Sequence, residues 1–205
     1  MSADTQKKRG RPAQNEAEGR RQEIIEKSAF LFKTQGYDNT SVRDIAAAVG
    51  MQSGSWCYYF KTKHDILAAI MEQGIARSLE QIEQLTQDSM PPRRRFERLV
   101  DIHLQTLLAP EHDFIPVLLY EWRALEPDAR ARIVRLKDRY EKVWEDAIKA
   151  LQTSGDWSQP GKLDRLFMFG ALNWTAQWYR RGGSISIQEL SAQAVRFLLR
   201  TSPEK

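Results

Sequence analysis

Between residues 40 and 63 the chain concentrates groups that could hydrogen-bond to a large polar partner. Hydroxyl and amide groups pair with the edges of nucleic-acid bases, whereas cations and tyrosine hydroxyls suit phosphates. Glycine in the same interval would let the backbone approach the partner closely. The candidate positions are Thr40, Ser41, Arg43, Gln52, Ser53, Gly54, Ser55, Tyr58, Tyr59 and Lys63. This combination predicts contact with DNA.

A second basic group lies near the N-terminus, in the run KKRGRP at residues 7–12. Arg9 and Arg11 flank one glycine and precede a proline, which keeps the backbone thin and extended. Arginine on such a backbone suits the narrow, negative minor groove of A·T tracts. Residues 1–19 are polar and should be disordered in isolation, so we expect a basic DNA-binding arm.

The charge distribution agrees with a nucleic-acid partner. Residues 1–63 contain 11 Lys and Arg against 7 Asp and Glu, so this third accounts for the whole net charge of +4. Positive charge confined to one region indicates a polyanion partner for that region. A basic tail without a partner would give the same count and remains an alternative.

Helix-end signals divide residues 20–67 into short helices. Gly36 ends the first helix, residues 39–41 cap the second, and Gly50 ends it. A third short helix is predicted over about residues 53–59, and Thr62 caps a long helix. Two short helices joined by a glycine turn are typical of a helix-turn-helix, which lays one helix in the DNA major groove. A generic helical hairpin with solvated polar residues is the competing interpretation.

The C-terminal part of the chain holds a second set of candidates, among many large aromatic residues. Asn173 and Gln177 are four residues apart, on one helical face, beside Trp174 and Trp178. A partner helix or a polar group of a ligand would explain this pattern, although most of the aromatics could form an ordinary core. The predicted ligand-binding residues are Tyr120, Trp122, Arg123, Arg139, Tyr140, Trp144, Asn173, Trp174, Gln177 and Trp178.

Helical periodicity runs through the chain, and no stretch shows a strand pattern. The sequence therefore predicts an all-α fold with about nine helices. We expect a basic arm over residues 1–19, a helix-turn-helix DNA-binding domain over 20–67, and a larger helical effector-binding and dimerisation domain over 68–205. With 205 residues, 41% of them hydrophobic, the chain can bury a substantial core.

Several classes of protein are disfavoured by the sequence. No apolar run approaches the roughly 20 residues that span a bilayer, and the N-terminus lacks the apolar segment of a secretory signal. One cysteine, Cys57, excludes an intrachain disulfide. There is no nucleotide-binding loop, no Ser-His-Asp arrangement and no metal-ligand spacing. We expect a cytoplasmic protein that is not an enzyme and has no cofactor, no metal site and no membrane partner.

Residues 20–67 resemble the DNA-binding domain of TetR-family transcriptional regulators. The matching residues are Thr40 to Ala46, Val49 to Met51, Gly54, Ser55, Tyr58, Phe60, Lys63 and Leu67. The resemblance implies a homodimer on a double-stranded DNA operator, with the two third helices in successive major grooves. The family often has lysine where Ser53 stands and tyrosine where Cys57 stands, so Tyr58, Tyr59 and the arm would supply more of the backbone contact.

The region from Leu119 to Trp122, the pair Arg139–Tyr140 and residues 169–183 resemble the branch of this family that controls fatty-acid or steroid breakdown. This resemblance implies a repressor released by a small hydrophobic effector such as an acyl-CoA thioester. Arginines would then hold the CoA phosphates, or would simply form a solvated face. The arginine candidates are Arg123, Arg130, Arg135, Arg139, Arg180 and Arg181. A DNA-binding protein without an effector and a multidrug-type regulator that senses hydrophobic cations are the alternatives.

The last two predicted helices carry apolar residues at helical spacing, which fits a four-helix interface between two copies. These residues are Leu166, Phe169, Leu172, Leu190, Ala194, Phe197 and Leu198. The same positions could instead close the core of one copy.

Overall fold

The computed structural model describes residues 14–52, 54–87, 89–108, 114–157 and 161–199. This part of the chain is helical and contains no strand, which confirms the all-α prediction. The α-helices are α1 (Gln14–Gln35), α2 (Val42–Ala48), α3 (Lys63–Gln87), α4 (Pro92–Leu108), α5 (Phe114–Tyr120), α6 (Pro127–Ser154), α7 (Lys162–Trp178) and α8 (Ile187–Leu198). Two 3-10 helices, Trp56–Tyr58 and Trp122–Ala124, complete the described elements.

Helices α1 and α2 end where the sequence signals predict, but α1 begins at Gln14, so residues 14–19 are helical and not part of a disordered arm. Gly36 and Gly50 both adopt positive φ, +85° and +62°, which L side chains rarely tolerate. Ser41 caps α2: its hydroxyl accepts the Asp44 N–H at 3.2 Å, and the Asp44 carboxylate accepts the Ser41 N–H at 2.8 Å. These hydrogen bonds from Ser41 hold the pKa of Asp44 below its usual range.

The predicted third helix is the main local difference. In place of a helix over residues 53–59, the described residues form the single 3-10 turn Trp56–Tyr58. Gly54 lowers the helix propensity of this segment, and the rings of Trp56, which begins the turn, and Phe60, which follows it, are buried. The position of the turn is therefore set by tertiary packing of two aromatic anchors.

Two hydrophobic cores lie along the molecule, and α3 contributes to both. It buries Ile66 and Ile70 with α1 and α2 in the first core, and Leu79 and Ile82 with α4, α6, α7 and α8 in the second. The first core also includes Val117 of α5 and residues at the start of α6, so it crosses the domain boundary predicted at residue 67. One rigid helix thus connects the DNA-binding end to the C-terminal helices.

Helix α5 lies directly on the backbone of α3. A Cβ atom at Gly74 would lie 1.8 Å from the Phe114 ring, so glycine is what allows this approach.

Among the described helices, none is both long and apolar enough to cross a lipid bilayer.

Candidate DNA-binding face and effector cavity

Most of the candidate DNA-binding side chains lie on the protein surface formed by α2 and the 3-10 turn, outside the first core. Ser41, Arg43, Gln52, Gly54 and Tyr58 are exposed, and Ser55 and Tyr59 are half-buried. Tyr58 is the extreme case, with 89% of its surface exposed. The opposite face of α2 buries Ile45, Ala46 and Val49, which holds the polar face outward. The arrangement suits contact with a polar surface such as DNA.

Thr40 requires a correction. Its side chain is 1% exposed, and its hydroxyl donates to the Gly36 carbonyl at 2.9 Å. Because that hydroxyl is enclosed and already paired, it cannot reach a DNA phosphate in this conformation. Thr40 therefore shapes the turn between α1 and α2.

Lys63 also stabilises the loop that precedes α2. Its ammonium donates to the carbonyls of Tyr37 at 2.8 Å and Thr40 at 3.0 Å, and lies 4.1 Å from the centre of the Tyr37 ring. An ammonium has three donors, so one remains for a phosphate. The contact ties the first turn of α3 to the loop that precedes α2.

Three candidates, Arg9, Arg11 and Ser53, lie outside the described residues. Cys57 is exposed next to Tyr58. The 3-10 turn is too short to bury every side chain between its two anchors, Trp56 and Phe60, so the Cys57 thiol lies at the surface.

A cavity of about 460 Å³ lies between α3, α4, α5, α6 and α7. Its volume falls in the range of small-molecule pockets in proteins. The lining is mostly apolar with a few polar groups. The lining residues are Ile75, Ser78, His103, Thr106, Leu118, Leu119, Trp122, Lys137, Tyr140, Glu141, Leu166, Phe169 and Asn173.

Three polar side chains from three helices meet in the wall of this cavity. His103 Nδ1 lies 2.8 Å from the Tyr140 hydroxyl, and His103 Nε2 lies 3.1 Å from Asn173 Oδ1. Trp144 and Phe169 enclose the imidazole, with ring centres 5.7 Å and 5.9 Å away. We call His103, Tyr140 and Asn173 the polar triad.

Burial sets the charge state of the polar triad. It lowers the pKa of His103 from 6.5 to about 4, a shift that the hydrogen bond to Asn173 only partly opposes. Burial also raises the pKa of Tyr140. Both side chains are therefore neutral at pH 7, and the triad carries no net charge.

The structure brings only part of the predicted ligand set into the cavity. Trp122, Tyr140 and Asn173 line it, and Trp144 lies buried behind the triad. Gln177 does not line the cavity; it donates instead to the hydroxyl of Tyr120, which is 55% exposed.

The remaining predicted ligand residues lie outside the cavity lining. Trp174 and Trp178 are 64% and 49% exposed and do not line the cavity, because α7 turns them to its outer face. Arg139 is an exposed residue paired with Glu83 at 2.8 Å, beside a different groove. Arg123 is exposed in the 3-10 turn that begins at the lining residue Trp122.

Sequence reasoning missed several cavity residues. His103 lies in an otherwise apolar stripe of α4 between Leu99 and Leu107, and that placement was the available signal. Lys137 and Glu141 pair at 2.8 Å in the lining, and Arg165 also pairs with Glu141. The pair between Glu141 and Arg165 joins α6 to α7, a contact that no local pattern reveals.

The cavity is connected to the DNA-binding end through α5. Leu118 and Leu119 line the cavity, and two residues later the Glu121 carboxylate accepts the Tyr37 N–H at 3.0 Å. The carbonyl of the same Tyr37 holds Lys63. A chain of contacts therefore runs from the cavity wall to the loop that precedes α2.

Comparison with known protein families identifies the chain. The family of bacterial regulatory proteins named after TetR matches residues 24–70, and the tetracyclin repressor-like C-terminal domain matches residues 89–202, more than half of the chain. The chain belongs to the TetR family. It is a DNA-binding transcriptional regulator and not an enzyme, since that is the role of the family.

Individual relatives cover nearly the whole chain. The HTH-type transcriptional repressor KstR2 of Mycobacterium tuberculosis is 25% identical over 185 residues, which is 88% of this chain and 91% of that protein. The crystal structure of the superantigen PfiT matches with a TM-score of 0.73 and 33% sequence identity, covering 88% of this chain and 96% of PfiT. AibR, crystallised with isovaleryl coenzyme A and operator DNA, has a TM-score of 0.81 at 24% identity, covering 88% of this chain and 98% of AibR.

TetR-family regulators bind operator DNA as dimers, and the outer face of α7 and α8 is suited to that assembly. It exposes large apolar side chains, including Phe167 at 72% and Phe197 at 60%. The other exposed members of this face are Leu163, Leu166, Trp174 and Trp178. Exposed aromatics of this size mark an interface.

Within the predicted dimer positions, Leu172 and Leu190 require correction. Both are buried in the second core of one copy, which also contains residues of α4 and α6. Phe169, Ala194 and Leu198 are half-buried against the same core. The exposed face is thus displaced around α7 relative to the sequence prediction, towards Phe167 and the two tryptophans.

Proposed function

We propose that this TetR-family regulator is a cytoplasmic repressor that leaves its operator when an acyl-CoA thioester binds in the cavity. The observation that carries the proposal is the apolar cavity, of about 460 Å³, whose wall continues through α5 to Tyr37. The relationship to the repressor KstR2 supports the sign of regulation. AibR supports the effector class, since that protein was crystallised with an acyl-CoA and operator DNA.

In this proposal the acyl part lies among the apolar lining residues and the CoA phosphates lie outside. Leu118, Trp122 and Phe169 would contact the acyl chain. Arg123, next to Trp122, is the cation placed to meet phosphates, whereas Lys137 in the lining is already paired with Glu141. Arg130 is less suited, because its guanidinium already donates to the carbonyls of the turn at residues 122–125.

Release from DNA would follow from displacement of α5 and α3. A ligand that enlarges the cavity moves Leu118 and Leu119, and the Glu121–Tyr37 hydrogen bond transmits that movement to the α1–α2 loop. Ile75 and Ser78 couple the same cavity to α3, whose first residue, Lys63, holds that loop. The ligand must bind the displaced state far more tightly, since a shift from 1:99 to 99:1 needs about 10⁴-fold preference.

The DNA contacts in this proposal come from α2, the 3-10 turn and the arm. Arg43 and Tyr58 would bind phosphates, and Gln52 and Ser55 would face base edges. Ser41, Gly54, Tyr59 and the third donor of Lys63 would support the contact. Ser53, Arg9 and Arg11 stay predictions from the sequence.

A direct test uses the purified dimer and DNA from upstream of its own gene. Fluorescence anisotropy would measure operator affinity with no addition, with octanoyl-CoA, with free CoA, and with tetraphenylphosphonium. We expect tight binding that octanoyl-CoA weakens and free CoA leaves unchanged. Because affinity for DNA depends steeply on salt, all arms use one salt concentration.

Each alternative function gives a distinct result. Release by tetraphenylphosphonium alone would identify a sensor of hydrophobic cations, and release by none of the compounds would identify a constitutive DNA-binding protein. Glu141, the carboxylate in the cavity lining, is already paired with Lys137 and Arg165, which disfavours a cationic ligand. Absence of any specific site in a genomic selection would contradict the regulator itself.

A further inference from the structure

The hydrogen-bond directions in the polar triad follow from the Tyr140 hydroxyl. This side chain is half-buried, and its O–H donor finds an acceptor in His103 Nδ1, 2.8 Å away. The neutral imidazole then carries its proton on Nε2 and donates it to Asn173 Oδ1 at 3.1 Å. The orientation of the Asn173 amide is thereby fixed, with its oxygen towards His103.

This orientation leaves the Asn173 NH₂ group free to serve a ligand. Its two N–H donors have no hydrogen-bond partner among the described residues, and Asn173 lines the cavity. Asparagine is a poor helix former, so its presence in the middle of α7 is not explained by helix stability. An apolar compound alone would leave these donors unpaired, which is unfavourable.

The neighbouring polar groups in the lining are already engaged. The Ser78 hydroxyl donates to the Gly74 carbonyl at 3.0 Å, and the Thr106 hydroxyl donates to Gln81 at 3.2 Å. Lys137 and Glu141 neutralise each other. A ligand carboxylate at the triad would therefore meet N–H donors but no unpaired cation, and its desolvation would be costly.

We propose that the cavity selects ligands with an uncharged carbonyl oxygen, which accepts hydrogen bonds from the Asn173 NH₂ group while His103 and Tyr140 hold that group in place. This inference rests on the proposed function and names the chemical group that the effector site recognises. A thioester and a ketone both present such an oxygen. Asn173 is then the specificity-determining residue, and His103 and Tyr140 are positioning residues.

The test compares probes that differ only in the carbonyl oxygen. Octanoyl-CoA is paired with S-octyl-CoA, in which CH₂ replaces the thioester carbonyl, and 2-octanone is paired with 2-methyl-1-octene. Dissociation constants come from calorimetry or competition. We expect the wild-type protein to prefer each carbonyl probe by about two- to tenfold, the value of one net hydrogen bond.

Two variants assign the preference to Asn173. Asn173→Leu should remove it, and Gln177→Leu, four residues further along α7 and outside the cavity lining, should retain it. If Asn173→Leu fails to fold, Asn173→Asp replaces the donors by an acceptor in the same shape and should also abolish the preference.

The outcomes separate this inference from the proposed function. Failure of both CoA compounds to bind, with 2-octanone still preferred through Asn173, would overturn the acyl-CoA proposal and support the carbonyl inference. Equal binding within each pair, or a preference that persists in both Asn173 variants, would overturn the carbonyl inference alone. Binding by none of the four probes would overturn both.

Discussion

The DNA-binding face and the effector cavity use polar side chains in opposite ways. On the DNA-binding face, Arg43, Gln52 and Tyr58 are exposed to water until a partner replaces it. In the cavity, His103 and Tyr140 are shielded and satisfy each other. The first site is adaptable because its groups are independent, whereas the second is selective because each group depends on its neighbour.

The largest effect we expect concerns the pH dependence of stability, which should come from the cavity. The pKa of His103 is about 4 in the folded state and near 6.5 when unfolded, so the unfolded state binds more protons between these values. The free energy of unfolding therefore has its full value above about pH 6.5. It decreases by roughly 3 kcal/mol as the pH drops towards 4. Urea unfolding at pH 7 and pH 4 measures it.

His103→Gln is the control for that prediction, since it removes the titrating group and can still hydrogen-bond. Between pH 7 and pH 4, the free energy of unfolding of the variant should decrease by roughly 3 kcal/mol less than that of the wild type. An identical pH dependence in both proteins would show that the buried histidine is not the source.

The second effect belongs to the DNA-binding face. Arg43→Ala should weaken operator binding by about 1–3 kcal/mol, because it removes a cation that we place against DNA. The affinity for octanoyl-CoA should not change, because Arg43 does not line the cavity. Arg98→Ala, which removes an exposed cation of α4 paired with Asp101, is the matched control and should leave operator affinity intact.

A smaller effect tests how the DNA-binding face is held in place. Ser41→Ala removes the side-chain cap of α2 and should lower the free energy of unfolding by about 1 kcal/mol. Ser186→Ala removes the equivalent cap of α8, at the dimer end, and should cost a similar amount without weakening operator binding. Equal loss of DNA affinity in both variants would argue against a specific role for α2.

The smallest effect concerns the link between the two regions. Glu121→Gln weakens the acceptor for the Tyr37 N–H and should reduce the coupling between effector and operator by on the order of 0.5 kcal/mol. The measurement is the ratio of operator affinities with and without octanoyl-CoA. Glu126→Gln, nearby and 64% exposed at its side chain, provides the control. A ratio unchanged by Glu121→Gln would indicate that the coupling is transmitted through α3 and not through the Glu121–Tyr37 hydrogen bond.

The parts of the molecule that were predictable depend on residues close together in sequence. Gly36, Ser41 and Gly50 set helix ends through their own backbone and side-chain preferences, and the structure has helix ends at these positions. The family resemblance over residues 20–67 rests on the same local order. Such features need no knowledge of how distant helices pack.

The cavity could not be predicted in the same way, because its geometry depends on contacts between distant helices. His103, Tyr140 and Asn173 are 37 and 70 residues apart along the chain, counted from His103. Trp174 follows Asn173 directly, yet it lies on the outer face of α7. Only the rotation of each helix in the packed structure decides which neighbour faces the ligand.

The polar triad also constrains how the sequence can change over evolutionary time. Replacing any one member leaves a buried donor or acceptor of another member without a partner, so single substitutions are costly. A regulator that acquires a new effector is therefore expected to exchange residues 103, 140 and 173 together. Among relatives that respond to different compounds, these three positions should covary as a unit, whereas residues 43, 52 and 58 should vary independently.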